Sequence, residues 1–271
     1  MKVAIGIPTY NRRHLVALNA VSLCSSAIPS GTELIVVDDA NAAYDVEFLR
    51  SIYPKFAEIR RRAQRSGDAS SASRDVMRQL LETDADAVLL LDSDLLVSSH
   101  FLEASVALLP ATDGVLSLFN TPRHPVVGMR GPFVLKDSVG CAGTLWRRDV
   151  AEKVLNDVPE GPCWDWRFSE FLGKAGIALC VVRDSLVQHA GYSDGENSVY
   201  GTGDIGLGFV DSDTKNAYRL VELMIADSQA SFRKLQGQIH VLERRLRRAE
   251  RWMPLYRSAM SIRRWFRRSG P

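Results

Sequence analysis

The chain has 271 residues, enough for one large α/β domain or two small ones. Apolar residues make up 46% and charged residues 24%, ordinary values that exclude disorder, collagen-like repeats or a disulfide scaffold as readings of the whole. The charge is unevenly spread: 34 basic and 32 acidic side chains give +2 overall, yet residues 231–271 hold 12 basic and 2 acidic, leaving −8 on the first 230. An acidic body with a basic tail predicts that the tail meets something anionic, or the body itself.

Val3 to Ile7 reads as a buried strand, ended by the turn residues Pro8 and Asn11. Leu15, Leu18, Val21 and Ser22 continue at helical spacing, and Glu33 to Val37 is the next strand, one βαβ unit after the first. A helix is predicted over about 71–81, then a third aliphatic strand from Ala87 to Leu91. Continuous aliphatic runs mark strands buried on both faces, so the fold class is α/β with a mostly parallel, doubly wound sheet flanked by helices.

Further on, Val115 to Phe119 reads as a strand and 120–139 as a Pro- and Gly-containing loop region. Another strand is expected from Gly143 to Arg147, a helix from about Asp149, and a strand from Ile177 to Val182. Residues 193–215 are rich in Gly, Ser and Asp and read as a loop. Phe232, Leu235, Ile239, Leu242, Leu246, Ala249 and Met253 alternate steps of three and four, a coiled-coil seam over 232–253 that Pro254 breaks. Leu255, Ala259, Ile262 and Phe266 resume an apolar stripe flanked by arginines. The chain thus divides into a body over 1–215 and a helical, basic extension over 216–271. The seam suits a homo-oligomer, and the stripe over 255–268 suits peripheral contact with an anionic membrane surface.

No stretch reaches the roughly 18 apolar residues of a membrane span, and Met1 to Arg13 lacks the basic start and apolar run of a secretory signal. Cytoplasmic residence is the default expectation. Cys24, Cys141, Cys163 and Cys180 show no zinc-ligand spacing and read as reduced, mostly buried thiols.

Ligands of such sheets bind beyond the carboxyl ends of the strands. Those ends here read Pro8-Thr9-Tyr10-Asn11, Asp38-Asp39 and Asp92-Ser93-Asp94. Two carboxylates at i and i+2 after a buried strand are costly unless a cation or hydrogen bonds offset their repulsion. A hard divalent metal takes oxygen ligands and can bridge carboxylates to phosphates, whereas an Asp-rich turn is the plainer alternative.

With those motifs in place, the chain resembles the family-2 glycosyltransferases of the GT-A fold over roughly residues 1–195. Val3-Ala-Ile-Gly-Ile-Pro-Thr-Tyr-Asn-Arg12 is similar to the family's first strand and nucleotide loop, and Leu34-Ile-Val-Val-Asp-Asp39 to its second strand. Ser73-Arg74-Asp75 stands where the family often has Ala-Arg-Asn, and Asp92 and Asp94 match its metal-binding Asp-x-Asp. Trp164-Asp165 takes the place of a Glu-Asp pair whose Asp is the catalytic base, while Phe171 replaces a usual Arg. His189 resembles an additional metal ligand of some members.

The resemblance implies a metal-dependent, inverting transfer of a sugar from a nucleotide-sugar, on family precedent a UDP-sugar. The implied donor-binding residues are Pro8, Thr9, Tyr10, Arg12, Asp38, Asp39, Arg74, Asp92 and Ser93; Asp92, Asp94 and His189 would hold Mn2+ or Mg2+. Asp165 would deprotonate the acceptor hydroxyl. The small-residue loop Cys141, Ala142 and Gly143 suits close approach of a sugar, a plain turn being the alternative. Trp164 and its neighbour Trp166 suit stacking on a sugar ring, with core packing the equal alternative. The acceptor is open between saccharide, lipid, protein and modified nucleic acid. Competing readings are a catalytically silent nucleotide-sugar binder and a nucleotidyltransferase, the latter disfavoured because Pro8 to Arg13 contains no glycine.

Overall fold

The computed structural model describes residues 1–190, 205–209 and 236–246, with isolated positions 225, 229 and 233. The chain divides into two compact units, Met1–Ile225 and Ala226–Pro271.

In the first unit, side-chain alternation splits the core into two layers. The strands β1 (Val3–Thr9) and β2 (Glu33–Asp38) flank the helix α1 (Arg13–Cys24) in the chain. After them come α2 (Val46–Ile52), β3 (Glu58–Arg61), α3 (Ala69–Leu80) and β4 (Ala87–Leu90). Ile5, Ile7, Val36 and Leu89 pack on one face with Val16, Ala20 and Leu23 of α1. Ala4, Ile35, Val37 and Leu90 pack on the other with Val76, Met77 and Leu80 of α3. Neither face sees water, which is why these strands lack the polar alternation of a half-exposed sheet. Gly6 lets α3 sit close: a Cβ there would run into Val76 and lie 2.9 Å from Leu80 Cδ1.

The chain then forms β5 (Leu95–Val97), α4 (Phe101–Leu108) and β6 (Val115–Ser117), followed by β7 (Val126–Arg130), β8 (Phe133–Lys136) and β9 (Thr144–Arg147). Two helices, α5 (Arg148–Asp157) and α6 (Trp164–Lys174), precede β10 (Leu179–Val182) and β11 (Val187–His189). The large sheet has the order β3-β2-β1-β4-β9-β6-β10-β8-β7. From β3 to β4 all neighbours are parallel, as are β6 and β10, while β9 and β8 run against their neighbours. Pro8 is tolerated in β1 because pairing with β4 stops at Gly6, so its missing N–H costs no ladder bond there.

One expectation needs correction. The stretch 120–139 is not only loop but holds the hairpin β7–β8, turning at Gly131 (φ 57°). Its punctuation is compatible with strand because β7 is the sheet's outer edge and Gly128 sits at a register shift. The thiols also divide evenly: Cys141 and Cys180 are buried, Cys24 and Cys163 exposed, and no disulfide joins them.

A second, two-stranded sheet joins β5 and β11 antiparallel. Buried polar side chains of α1 hold it from beneath: Asn19 Nδ2 donates to the Leu95 carbonyl (2.7 Å) and Ser22 Oγ accepts from Val97 N (3.2 Å). Residues 205–209 buttress β11, with Gly206 N donating to Gln188 Oε1 (2.9 Å) and Leu207 N to the Asn120 carbonyl (2.7 Å).

In the second unit, residues 236–246 are helical and expose Ile239, Leu242 and Leu246 of the expected seam. The stripe over 255–268 lies outside the described residues, as does all of 193–215 except 205–209. No helix among the described residues is long and apolar enough to cross a membrane.

Candidate active site

β4 delivers the chain to a tight turn through Asp92, Ser93 and Asp94, closed by Leu95 N donating to the Asp92 carbonyl (3.1 Å). Antiparallel pairing then sets His189 opposite Leu95, and Ala190 N donates to the Asp94 carbonyl (2.8 Å). The register alone therefore brings a residue from late in the chain beside the turn. One potential ligand atom from each of Asp92, Asp94 and His189 lies within 4.8 Å of the other two.

The electrostatics of the turn are asymmetric. Burial, reinforced by the charge of Asp94, pushes the Asp92 carboxyl up. Burial acts the same way on Asp94, but the His189 imidazole and the Arg12 guanidinium outweigh it and hold that carboxyl well below the usual range. Arg12 Nη1 lies 2.7 Å from Asp94 Oδ2, and His189 Nδ1 lies 3.5 Å from Asp94 Oδ1. Asp94 Oδ1 is buried and accepts no hydrogen bond among the described residues. The His189 ring meets Phe119 edge-on at 5.0 Å, which limits its orientation.

Along the same sheet edge, Asp39 N donates to the Thr9 carbonyl (2.9 Å), so the first two strand tips meet. Asp38 Oδ1 accepts from Asn41 N (3.1 Å), and Asp38 Oδ2 faces Arg61 Nη1 at 3.4 Å. Asp39 accepts from Ser66 N (2.8 Å) and Ser66 Oγ (2.7 Å), with Arg62 Nε at 3.2 Å. Arg65 stacks over the Tyr10 ring at 4.0 Å. Pro8 is half-buried, and Thr9 and Ser93 are buried. Ser66 and Arg65 are rim residues that the sequence reading missed. The charged strand β3, which carries the chain to them, has no apolar run to announce it.

Asp165 stands in the first turn of α6, where burial pushes its carboxyl up against the opposing pull of backbone N–H groups. The Gly140 backbone faces it: a Cβ there would lie 3.9 Å from Asp165 Oδ2. The charge of Asp165 acts on both Asp92 and Cys141, which ties base candidate and carboxylate turn to one electrostatic neighbourhood. Burial pushes the Cys141 thiol well up, so it is held as a neutral SH. His124, also missed, lies 2.9 Å from Ser138 Oγ through Nδ1, with its ring 5.8 Å from that of Trp166. A histidine in a Pro- and Gly-bearing stretch carries no signal of that proximity.

Three expected site residues are used otherwise. Trp164 is fully buried, edge-on to Phe168 at 5.2 Å, so no face is open to a sugar; Trp166, 57% exposed, is the accessible ring. Gly143 (φ 65°) serves packing, since a Cβ there would lie 2.9 Å from Val187 Cγ2. Arg74 ion-pairs with Glu160 and donates from Nη2 to the Leu155 carbonyl (2.9 Å), committing its guanidinium to the α5–α6 connection. Cys141 and Ala142 are buried beside Gly143.

Residues 4–137 match the model of glycosyl transferase family 2. No curated protein matches the sequence. Among solved structures, Staphylococcus aureus TarS 1-349 in complex with UDP-GlcNAc aligns at TM-score 0.50 and 19% identity, over 69% of this chain and 58% of that one. The same protein in complex with UDP aligns at 0.50 and 17%, over 84% and 65%. The mannosyltransferase PcManGT from Pyrobaculum calidifontis, in complex with GDP-Man and Mn2+, aligns at 0.51 and 18%, over 66% and 56%. The chain thus spans less than two thirds of the length of each, and the likeness is one of fold. Strand order, carboxylate turn and matched segment agree: residues 4–137, just under half of the chain, are those of a glycosyl transferase family 2 domain, and the first unit has the GT-A architecture.

Proposed function

We propose that the first unit transfers a sugar, with inversion, from a UDP-sugar to an acceptor hydroxyl, with Mn2+ or Mg2+ at the carboxylate turn and Asp165 as general base. The observation that carries this reading is the convergence of Asp92, Asp94 and His189 within 4.8 Å at the tip of β4. The donor set fits such an ion. Two carboxylates and an imidazole suit a manganese-like cation, and Asp94 Oδ1 is a buried oxygen without a hydrogen-bond donor among the described residues.

Bound there, the ion supplies Lewis-acid neutralisation of the charge that grows on the departing diphosphate. The protein's own groups do the rest. Phe119 and the β5–β11 pairing hold the His189 ring in place, and Asn19 and Ser22 fix the strand behind Asp94. Pro8, Thr9, Tyr10, Arg12, Asp38 and Asp39 line the strand tips where the nucleoside would lie, and Ser93 sits between the two ligating carboxylates. Asp165, raised by burial, accepts the acceptor's proton more readily than an ordinary aspartate does. His124, whose charge acts on Asp165, and the exposed Trp166 that its ring meets would face the acceptor in this reading. Asp165 and His189 both lie beyond the matched segment 4–137. The TarS complexes with UDP-GlcNAc and UDP support uridine as the base; the GDP-Man complex shares the nucleoside diphosphate. The exposed seam over 236–246 is proposed to pair with a second copy.

The test is release of nucleoside diphosphate from a panel of UDP- and GDP-sugars with Mn2+ and with chelator. Metal-stimulated release of UDP is the expected result. Undiminished turnover with chelator present, or release from GDP-sugars alone, would overturn the metal or the uridine assignment respectively.

A further inference from the structure

We infer that Arg12 is the resident counter-ion of Asp94, so that a divalent cation binds the turn tightly only when a donor's diphosphate draws that guanidinium away. The inference rests on the metal assignment above and goes beyond it, because it makes cation and nucleotide binding one coupled event.

Geometry is the first support. Arg12 Nη1 sits 2.7 Å from Asp94 Oδ2, with the Arg12 side chain 31% and the Asp94 side chain 10% exposed. A charge-assisted hydrogen bond so shielded is stronger than a surface pair. The same carboxylate supplies a ligand atom to the Asp92–Asp94–His189 cluster. Guanidinium and metal therefore compete for one carboxylate, and they repel each other at that range.

The backbone is the second support. Asn11 (φ 50°) and Arg12 (φ 46°) are consecutive non-glycine residues in the left-handed region, a conformation that persists only where its surroundings impose it. The Arg12 carbonyl accepts from Leu15 N (2.9 Å) and Val16 N (3.2 Å) as α1 begins, so its main chain is tied down while its partly exposed side chain can swing. This backbone setting aims a long cationic side chain at the turn.

Charge balance is the third. Asp92 and Asp94 put two carboxylates in one turn, and the Arg12 guanidinium 2.7 Å from Asp94 Oδ2 offsets part of their repulsion. When a diphosphate arrives, its oxygens offer the guanidinium a planar, bidentate partner. The positive charge beside Asp94 is then withdrawn, and the carboxylate, whose Oδ1 already lacks a hydrogen-bond partner among the described residues, is open to the cation. By linkage, the nucleotide must tighten the metal by the factor that the metal tightens the nucleotide.

The experiment measures Mn2+ binding to the full chain by electron paramagnetic resonance, with and without UDP. The variants are Arg12→Gln, Arg12→Lys, Asp94→Asn and Arg13→Gln. Arg13 stacks on Phe48 at 4.3 Å and serves as the control for loss of a nearby positive charge. Arg12→Gln is expected to tighten nucleotide-free Mn2+ binding by about tenfold, within the usual range of coupling, and to shrink the gain that UDP confers. Arg12→Lys should fall between it and the parent, and Arg13→Gln should match the parent. Unchanged or weaker Mn2+ binding in a folded Arg12→Gln protein, judged by circular dichroism, would overturn the role of Arg12 alone. Parent protein that binds no Mn2+ with or without UDP, or Asp94→Asn that binds as the parent does, would sink the metal assignment and this inference with it.

Discussion

From β3 to β4 the neighbouring strands are parallel, and their tips place Thr9, Asp38, Asp39 and Asp92 along one edge. From β9 to β7 the direction changes repeatedly, and the groups near the proposed acceptor side come instead from a helix start, a loop and a hairpin. The first half positions chemistry by topology, because a parallel strand always ends at the same edge. The second half positions it by tertiary bonds that differ from residue to residue. Substitutions in the two halves should therefore fail differently, the first through function at an intact fold and the second through packing as well.

The sharpest test is Asp94→Ala. Removing the carboxylate shared by Arg12, His189 and the proposed ion should lower metal-stimulated sugar transfer by about 10³-fold or more, the scale of several kcal/mol of charge stabilisation. Initial rates with Mn2+ check it; a loss of folding instead would break the contrast between the halves.

The two tryptophans of α6 probe the second half. Trp164→Ala empties a fully buried site against Phe168 and should cost about 3–5 kcal/mol of stability. Trp166→Ala removes an exposed ring and should leave the denaturation midpoint nearly unchanged. Equal losses in chemical denaturation would contradict that division of labour.

Asp165→Asn should reduce transfer by roughly 10²-fold while preserving donor affinity. Because burial raises the carboxyl in the folded state, its ionised form costs stability above its unfolded pKa, increasingly so up to the folded value. The asparagine variant should thus be at least as heat-stable as the parent at pH 8. In the parent, kcat/KM should fall as pH drops through a midpoint above that of an ordinary aspartate. A drop in donor affinity, or an acid limb in the ordinary range, would reassign the residue.

Arg74→Ala is expected to have a small effect, about 1–2 kcal/mol of stability from the lost hydrogen bonds to the α5–α6 connection, with donor affinity little changed. A large rise in donor KM would instead bring Arg74 back to the nucleotide.

The same contrast explains what could be read without coordinates. Val3 to Ile7, Leu34 to Val37 and Val88 to Leu90 declare themselves because burial on both faces leaves nothing polar in them. Their acidic tips could be read for the same reason, and so could Asp92 and Asp94. β3, with the sequence Glu-Ile-Arg-Arg, sits at the sheet's edge and carries no such run. β5 and β11 are three residues each, too short for a period to show. The burial of Trp164 did leave a trace, since Trp164, Phe168 and Leu172 recur at helical spacing and all are buried. The commitment of Arg74 to Glu160 and Leu155 left none, because it depends on how α3 meets the α5–α6 connection.

The short ribbon of β5 and β11 bears on biogenesis. A nascent chain emerging from its N-terminus presents Asp92 and Asp94 long before Val187–His189 has been synthesised. Until that last strand docks, the turn has its mutual repulsion and the arginine at position 12 but no imidazole. On the proposed metal assignment, the full ligand set is therefore assembled only when the polypeptide has been made past residue 190, well after the matched segment 4–137.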